Sequence, residues 1–312
     1  MKSGNIVTVF GGTGFIGSHL IACLARDGWR IKIATRDAER ASHLRLAGDL
    51  GQITIIGCDL TKPATIEQAI TGSNAIVYLP GILAESRRQS FDGIHAEGAR
   101  LVSELAARHN ISNYVHMSAL GARHQSASAY ARSKAAGEAA TRVHLHNSVI
   151  LRPSIVFGHG DGFFTRFGIL AKYLPVIPCF FPELKFQPVS VHDVCQAIQL
   201  GLSDSQFKGL TFELGGPHAF SMRDMLEMLA QTVGGRVRVM ALPQVAAYGL
   251  ALLTAPLPSS PLTFDQIRLM RQGDHLLSEF SPGFKQLGIQ PRALAAELPS
   301  ILAGLQLYGH AG

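Results

Sequence analysis

The fold of this chain is decided by residues 6–17, Ile6-Val-Thr-Val-Phe-Gly-Gly-Thr-Gly-Phe-Ile-Gly17. A β-branched run stops at the first glycines, and apolar side chains then recur at helical spacing from Phe15 to Leu24. The stretch therefore predicts a strand, a tight turn and a helix. Gly12–Gly17 also fits the pattern G-x-G-x-x-G, in the position between strand and helix that this motif requires.

Glycines in this position have a physical reason. Without Cβ atoms the backbone turns tightly and comes close to a pyrophosphate, whose charge is stabilised by free N–H groups and the positive end of the helix dipole. The sequence therefore predicts a dinucleotide site at this turn. Its candidate contacts are Gly11, Gly12, Thr13, Gly14, Phe15, Ile16 and Gly17.

Strand and helix patterns alternate through the first half of the 312 residues. Such alternation predicts an α/β Rossmann fold, a doubly wound parallel sheet with helices on both faces, over residues 1–155. Residues 156–312 are expected to form a smaller, mostly helical substrate lobe, from which residues 187–200 return to the first domain. The predicted strands are Ile6–Phe10, Ile31–Thr35, Ile53–Gly57, Ala75–Leu79, Tyr114–Met117 and Ser148–Leu151.

The end of the second predicted strand bears on the choice of nucleotide. A carboxylate there hydrogen-bonds the ribose 2′-OH of NAD, whereas an arginine accommodates the 2′-phosphate of NADP. Arg36 occupies this place and Arg40 follows one helical turn later, which favours NADP(H). Asp37 leaves NAD(H) open as the alternative.

Residues after three other strands complete the predicted cofactor site. Asp59 and Leu60 follow the third strand, where a carboxylate and an apolar contact suit an adenine; the alternative for Asp59 is a helix N-cap before Pro63. Pro80 and Pro153, which follow the fourth and sixth strands, are further candidate cofactor contacts.

Three motifs together resemble the extended short-chain dehydrogenase/reductase superfamily: Gly11-x-x-Gly14-x-x-Gly17, Tyr130-x-x-x-Lys134 and Leu151-Arg152-Pro153. Further stretches resemble its atypical branch, which contains the NADPH-binding accessory subunit of mitochondrial complex I and its bacterial relatives. These are residues 9–17, Ser118-Ala-Leu-Gly-Ala and Phe186-Gln-Pro-Val. The resemblance covers residues 5 to about 230.

The resemblance implies catalytic roles for Ser118, Tyr130 and Lys134, and it implies that Tyr130 and Lys134 also contact the cofactor, with Lys134 hydrogen-bonded to the nicotinamide ribose. Tyr130 begins a predicted helix, and its spacing of four residues from Lys134 puts both side chains on one face. A free phenol with a pKa of about 10 is a poor base at neutral pH, so Lys134 and the cofactor's positive ring would stabilise the phenolate. Ser118, only 12 residues before Tyr130, would orient the substrate oxygen.

His95 stands where relatives commonly carry an asparagine that holds a water in a proton relay. It either substitutes in that relay or positions the helix. No metal-ligand set stands out among the 13 histidines, and no metal is expected. The four cysteines are widely spaced without a Cys-x-x-Cys pair, and together with the lack of a signal-like N-terminus this predicts a reducing cytoplasmic location.

Two apolar segments follow the predicted first domain. Residues 239–264 carry no formal charge, but Pro243, Pro256, Pro258 and Pro261 leave too short an uninterrupted stretch to span a membrane. Residues 163–181 are rich in aromatic side chains. Both segments are either ordinary core, the lining of a lipophilic substrate pocket, or a peripheral contact with the inner face of a membrane.

Two functions follow from these features. The first is an NADP(H)-dependent oxidoreductase, or an epimerase/dehydratase using the same hydride step, acting on a hydrophobic alcohol or carbonyl. The alternative is a non-catalytic NADPH-binding accessory or assembly protein, associated with respiratory complex I or quinone synthesis. The net charge of +6 comes from scattered cations, so no nucleic-acid partner is expected, and no pattern specifies an oligomeric state.

Overall fold

The structure is a computed structural model, and it describes residues 4–234, 237–255 and 262–305. The strands are β1 (Ile6–Phe10), β2 (Arg30–Thr35), β3 (Ile53–Gly57), β4 (Ala75–Tyr78), β5 (Asn113–Met117), β6 (Val149–Pro153), β7 (Val156–Phe157), β8 (Val176–Cys179), β9 (Lys185–Phe186), β10 (Val189–Ser190), β11 (Thr211–Leu214), β12 (Phe220–Ser221) and β13 (Arg238–Ala241). The predicted strands are confirmed as β1 to β6, each to within two residues of its expected ends.

Helices connect these strands. They are α1 (Phe15–Arg26), α2 (Pro63–Ile70), α3 (Gly98–Arg108), α4 (Ala129–His144), α5 (Phe164–Tyr173), α6 (Val191–Ser203), α7 (Met222–Val233), α8 (Gln244–Thr254), α9 (Phe264–Met270), α10 (Phe284–Leu287) and α11 (Leu294–Ile301). A π-helical turn, Asp92–Glu97, leads directly into α3. The helical segment that ends in α3 therefore has a widened first turn.

The central sheet contains, within the described residues, seven strands in the order β11-β6-β5-β4-β1-β2-β3. All neighbouring strands are parallel. The chain winds outward in opposite directions from β1 and from β4, so the loops that follow these two neighbours diverge. In such open sheets a crevice forms at the carboxyl ends of the strands at this switch point, and dinucleotides bind there. The Rossmann fold is confirmed.

Both faces of the sheet are buried, which explains the nearly continuous apolar strands. One core layer lies beneath α1 and α6 and includes Val9, Leu20 and Ile198, each fully buried. The opposite layer lies beneath α2 and α3 and includes Ile76 and Val102. Residues 189–203 form β10 and α6, and α6 packs against α1 and β5.

The sequence pattern does not predict β11, the strand at one edge of the central sheet. It has only four residues, and a charged residue, Glu213, interrupts its apolar pattern. Glu213 is nevertheless mostly buried, and its carboxylate lies 3.8 Å from the Arg152 guanidinium on β6. A buried carboxylate with a cationic partner is tolerated in a sheet, whereas an unpaired one is strongly disfavoured.

A separate core joins α5, α7, α8, α9 and α11 with the small parallel ladder of β8 and β13. The aromatic segment contributes to it: Phe164 and Phe181 are buried, and Phe163, Phe167 and Phe180 pack against them. Phe164 and Phe181 are therefore ordinary core residues, whereas Phe163, Phe167 and Phe180 remain partly exposed.

The uncharged segment forms α8, which is eleven residues long. Pro243 is its N-cap, as expected of a residue that cannot continue a helix on its N-terminal side. Pro256, Pro258 and Pro261 lie outside the described residues. Among the described helices, none combines the length and the apolar character that crossing a bilayer requires.

Candidate functional site

The glycine turn after β1 is tightly closed. Gly11 has a φ of +74°, and its carbonyl oxygen accepts a hydrogen bond from the Gly14 amide at 3.0 Å. A Cβ on Gly17 would lie 2.5 Å from the Gly11 oxygen, and one on Gly11 would lie 3.0 Å from the nitrogen of Pro80. Side chains are therefore excluded at these two glycines, and the turn is brought against the end of β4.

The first turn of α1 meets the requirement for an anion site. Gly14 is the N-cap and supplies no side-chain acceptor, while Thr13 and Gly14 are exposed. Phe15 and Ile16 are half-buried, and the ring of Phe15 packs on His19 with centroids 5.4 Å apart. Uncapped N–H groups at an exposed helix start are the donors that a pyrophosphate uses.

The end of β2 presents exposed cations. Arg36, Asp37 and Arg40 are all exposed, and the Asp37 Oδ1 accepts the Arg40 backbone N–H at 2.9 Å. Arg36 lies close enough to Asp59 to lower the pKa of that carboxyl, although the hydrogen bonds from Thr61 contribute more.

Asp59 and Leu60 lie beside this charge. The Asp59 Oδ1 accepts hydrogen bonds from the backbone and hydroxyl of Thr61, at 3.0 and 2.8 Å. The N-cap alternative for Asp59 is wrong: α2 begins at Pro63 and its N-cap is Lys62. The turn at Thr61 satisfies the carboxylate before the helix starts. Leu60 packs against α3, 3.3 Å from where a Gly98 Cβ would lie.

Tyr130 lies in the first turn of α4, as predicted from its position between β5 and β6. Its half-buried ring packs edge-on against Phe91 and His95, with centroids 5.9 and 5.4 Å away. This apolar surrounding disfavours the phenolate, and burial raises the pKa of Tyr130 to about 12. The phenol is therefore protonated at neutral pH.

Lys134 lies one turn further along the same face of α4, almost completely buried. Its Nζ donates to the backbone oxygen of Met117, 3.2 Å away at the end of β5. Burial lowers its pKa to about 8, and the nearby Glu138 opposes this effect. The lack of a side chain on Gly81 leaves room at the ammonium, because a Cβ there would lie 3.2 Å from Nζ.

His95 is held by hydrogen bonds on both ring nitrogens. Its Nε2 accepts the backbone N–H of Ile82 at 3.0 Å, which makes Nδ1 the protonated nitrogen, and Nδ1 donates to the Ser133 hydroxyl at 2.8 Å. Burial and the charge of Lys134 lower the pKa of His95 to about 2. These are the contacts of a positioning residue, which joins the loop after β4 to α4.

Ser118 follows β5 directly, next to the carbonyl that Lys134 contacts. It is buried, and its Oγ has no hydrogen-bond partner among the described residues. A buried hydroxyl without a partner is costly unless a ligand completes it. Pro153 ends the adjacent strand β6, and its carbonyl accepts the Leu120 amide at 2.9 Å, which fixes the turn after Ser118.

The structure places the predicted residues that follow β1, β4 and β5 at the carboxyl end of the sheet, where an open α/β sheet forms a crevice. Gly11 lies against Pro80, Gly81 lies beside Lys134, and Tyr130 packs on His95. The uncapped glycine turn and the Ser118 hydroxyl, which has no hydrogen-bond partner among the described residues, fit a dinucleotide and a substrate oxygen at this end of the sheet. Within the described ranges, no three His, Cys, Asp or Glu side chains converge as metal ligands.

One residue at this site lies far from the motifs in sequence. Asp265 of α9 accepts hydrogen bonds from the first residues of α4, including the Tyr130 amide at 3.1 Å. The two residues are 135 positions apart, and no local pattern marks such a contact. The only local sign was Ser128, a residue type that favours helix N-caps, directly before α4.

Comparisons with known proteins agree with this geometry. The model of the NAD dependent epimerase/dehydratase family matches residues 7–171. A mitochondrial protein of Dictyostelium discoideum, NADH dehydrogenase (ubiquinone) 1 alpha subcomplex subunit 9, is 34% identical over 228 residues, which are 73% of this chain and 64% of that protein. This chain therefore spans less than two thirds of that relative's length.

A bacterial relative and a solved structure extend the comparison. The ceramide reductase of Caulobacter vibrioides is 29% identical over 248 residues, covering 76% of this chain and 74% of that protein. An NADPH-dependent quinone oxidoreductase of Escherichia coli, crystallised with NADPH, superposes with a TM-score of 0.75 at 17% identity, over 95% of this chain and 99% of the other. The resemblance found in the sequence is confirmed.

Proposed function

We propose, because this chain belongs to the NAD dependent epimerase/dehydratase family, that it is an NADP(H)-dependent oxidoreductase that reduces the carbonyl group of a hydrophobic substrate. The observation that carries the proposal is the half-buried Tyr130 side chain, packed on Phe91 and His95, one helical turn from the buried Lys134. The unpartnered Ser118 hydroxyl at the same end of the sheet supports it.

The surroundings of Tyr130 disfavour its phenolate, since burial raises the pKa of Tyr130 to about 12. Transfer of the phenol proton near neutral pH therefore needs stabilisation of the phenolate, which the Lys134 ammonium would supply. The direction of the proposed reaction, reduction, is supported by the similarity to a ceramide reductase.

The residues divide the reduction between them. The Ser118 hydroxyl donates to the substrate carbonyl oxygen and fixes its direction, and Tyr130 gives that oxygen its proton as the carbonyl carbon is reduced. The Lys134 ammonium stabilises the phenolate that remains. A bound NADPH would supply the hydride, so that one hydride and one proton convert the carbonyl to an alcohol.

The choice of NADP(H) is supported at the end of β2. Arg36 and Arg40 are exposed, and guanidinium groups suit a 2′-phosphate. The Asp37 carboxylate, the candidate partner for the ribose hydroxyls of NAD, has its Oδ1 engaged by the Arg40 amide.

A hydrophobic substrate is supported by the similarity to a ceramide reductase, a protein whose name denotes reduction of a long-chain lipid. Side chains of the second core add to this: Phe163, Phe167 and Phe180 are only partly buried. An apolar chain can pack on aromatic rings, whereas a sugar diphosphate needs polar partners.

Two measurements on the purified full chain test the proposal. Mass spectrometry of released ligands should find NADP(H), and NADPH consumption should respond to a panel of long-chain ketones that includes a keto-ceramide and a quinone. Tyr130→Phe should lower turnover about 10³-fold while the NADPH dissociation constant stays unchanged. Full turnover by this variant, or no NADPH binding by the wild type, contradicts the proposal.

The second candidate is an accessory protein of a respiratory complex. It is supported by the 34% identity to the complex I subunit and by α8, which exposes Val245, Leu252 and Leu253 at 79%, 66% and 80%. We expect co-migration with NADH dehydrogenase activity in native gels of solubilised membranes, and loss of it in Leu252→Glu/Leu253→Glu. A wild-type protein that migrates alone contradicts this role.

Both candidate functions are compatible with a protein attached to the inner face of a membrane. Exposed Tyr173 and Leu174 at the end of α5 lie near the cations Arg166 and Lys172, a combination that binds anionic lipid surfaces. Flotation with anionic liposomes at low salt tests it. Protein that stays at the bottom of the gradient would exclude membrane attachment and leave a cytoplasmic protein.

A further inference from the structure

Asp265 completes the N-terminus of the helix that carries Tyr130 and Lys134. Its carboxylate accepts hydrogen bonds from the Ser128 hydroxyl at 2.6 Å, the Ala129 amide at 2.7 Å and the Tyr130 amide at 3.1 Å. Ser128 is the N-cap of α4, and its hydroxyl oxygen accepts the Ala131 amide at 3.3 Å. The first three amides of α4 therefore all have acceptors, two of them on Asp265.

The same carboxylate lies in the first turn of its own helix, α9. It is thus placed between the N-terminal ends of α4 and α9, whose dipoles both favour a negative charge. Thr263 and Gln266 form a capping box that fixes the start of α9. Asp265 consequently projects from a helix end that has its own restraints, rather than from a free loop.

A second contact holds the loop that leads into α4. The Gln272 amide group, just after α9, exchanges hydrogen bonds with the Ser126 hydroxyl at 2.8 and 3.0 Å and accepts one from Arg123 at 3.0 Å. The segment between Ser118 and Tyr130 is therefore clamped at two points by residues 265–272. Movement of α9 would carry the start of α4 with it.

The junction at α6 provides an internal comparison. Its N-cap, Ser190, is fully buried like Ser128, and its hydroxyl also donates to a carboxylate from the C-terminal part of the chain, Glu297, at 3.0 Å. Glu297 accepts no amide of α6 among the described hydrogen bonds, and α6 carries no candidate catalytic residue. The two junctions are similar in chemistry but differ in what the capped helix bears.

We propose that Asp265 is a positioning residue for Tyr130: it fixes the axial and rotational position of the first turn of α4, and so the place of the phenol against the nicotinamide. The inference rests on the proposed function. Through α9, the separate core formed by α5, α7, α8, α9 and α11 would then take a direct part in arranging the proton donor. The backbone amide that Asp265 accepts belongs to Tyr130 itself, so a shift of that bond displaces the phenol.

The test compares full-length Asp265→Ala and Asp265→Asn with Glu297→Ala as the matched control. Alkaline titration of tyrosine absorbance, with the Tyr130→Phe signal subtracted, reports the pKa of Tyr130 with and without NADP⁺. In the wild type the positive nicotinamide ring should lower this pKa by about 1–3 pH units. The titration needs no substrate.

Asp265→Ala should lose most of this nucleotide-dependent change and lower kcat roughly 100-fold, since a misplacement of about 1 Å suffices for such a loss. Its dissociation constant for NADP⁺ should stay within about twofold, because the binding energy for the pyrophosphate comes from the separate glycine turn. Asp265→Asn, which keeps one acceptor oxygen, should fall between Asp265→Ala and the wild type. Glu297→Ala should titrate and turn over as the wild type does.

The outcomes separate the two proposals. A wild type that binds NADP⁺ without any change in the Tyr130 titration overturns the proposed function. A wild type that shows the change, with a folded Asp265→Asn or Asp265→Ala that retains both it and full kcat, overturns the positioning role. Equal losses of kcat in Asp265→Asn and Glu297→Ala would also overturn it, because they would indicate a general loss of stability.

Discussion

The two ends of the crevice differ in how far their charged and polar groups are exposed to solvent. At the nucleotide end, defined by Gly11–Gly17 and Arg36, the groups that would meet phosphates are exposed amides and an exposed guanidinium. At the chemical end, defined by Ser118, Tyr130 and Lys134, the ionisable groups are buried or half-buried, and their pKa values are displaced.

This difference follows from what each end must do. Phosphates carry a fixed charge, so an exposed cation and a bare helix start are sufficient to bind them. A proton donor must be tuned, and burial is what shifts the free energy between its two forms. Binding and proton transfer should therefore respond to separate substitutions.

Lys134→Met should lower kcat by about 10²-fold or more while NADPH still binds, because the phenolate left by Tyr130 loses its cationic partner. In the wild type, the rate of reduction should fall as the pH rises through about 8, where the Lys134 ammonium loses its proton. A pH profile of kcat/KM measures this. In Lys134→Arg the fall near pH 8 should vanish, and a fall that persists would assign it to another group.

Arg36→Ala should raise the dissociation constant for NADPH roughly 10- to 100-fold, the value of one or two charge-assisted hydrogen bonds, and leave that for NADH unchanged. At saturating NADPH, kcat should equal that of the wild type, as the separation of the two ends requires. Fluorescence titration with both nucleotides measures the constants. Asp37→Ala is the control: weakened NADH binding in that variant would revive the NAD(H) alternative.

The buried histidines behind the chemical end should make the fold sensitive to acid. Burial lowers the pKa of His116, stacked on Tyr78, to about 3, and that of His95 to about 2. In the unfolded chain both titrate near 6.5, so between these values the unfolded state binds more protons and stability falls as the pH falls. At pH 5.5 each of the two histidines should lower the free energy of unfolding by roughly 1.4 kcal/mol.

Urea unfolding at pH 7.5 and pH 5.5 measures this loss of stability. His116→Asn should be less stable than the wild type at pH 7.5, because it loses the stacking on Tyr78, but its free energy of unfolding should change less with pH. His43→Asn, at an exposed position near the nucleotide end, is the control and should keep the full pH dependence of the wild type. Equal slopes in all three proteins would contradict the prediction.

Local patterns in the sequence were sufficient for β1 to β6 and for the glycine turn. β1 and β3 have the predicted bounds because both are short β-branched runs that stop at or next to a glycine. Arg36, Tyr130 and Lys134 were placed by their position relative to strands and a helix. The alternative in which Asp59 caps a helix is wrong, because its carboxylate accepts two hydrogen bonds from Thr61 before α2 begins.

Residue spacing alone predicts the alternation of strands and helices, the nucleotide turn and the shared helical face of Tyr130 and Lys134, because each depends on interactions among neighbours in the chain. Tertiary packing was needed to show that both nitrogens of His95 are engaged and that the Ser118 hydroxyl has no hydrogen-bond partner among the described residues. It alone also brought Asp265 to the start of α4. Those features depend on burial and on contacts between distant segments, which residue spacing does not encode.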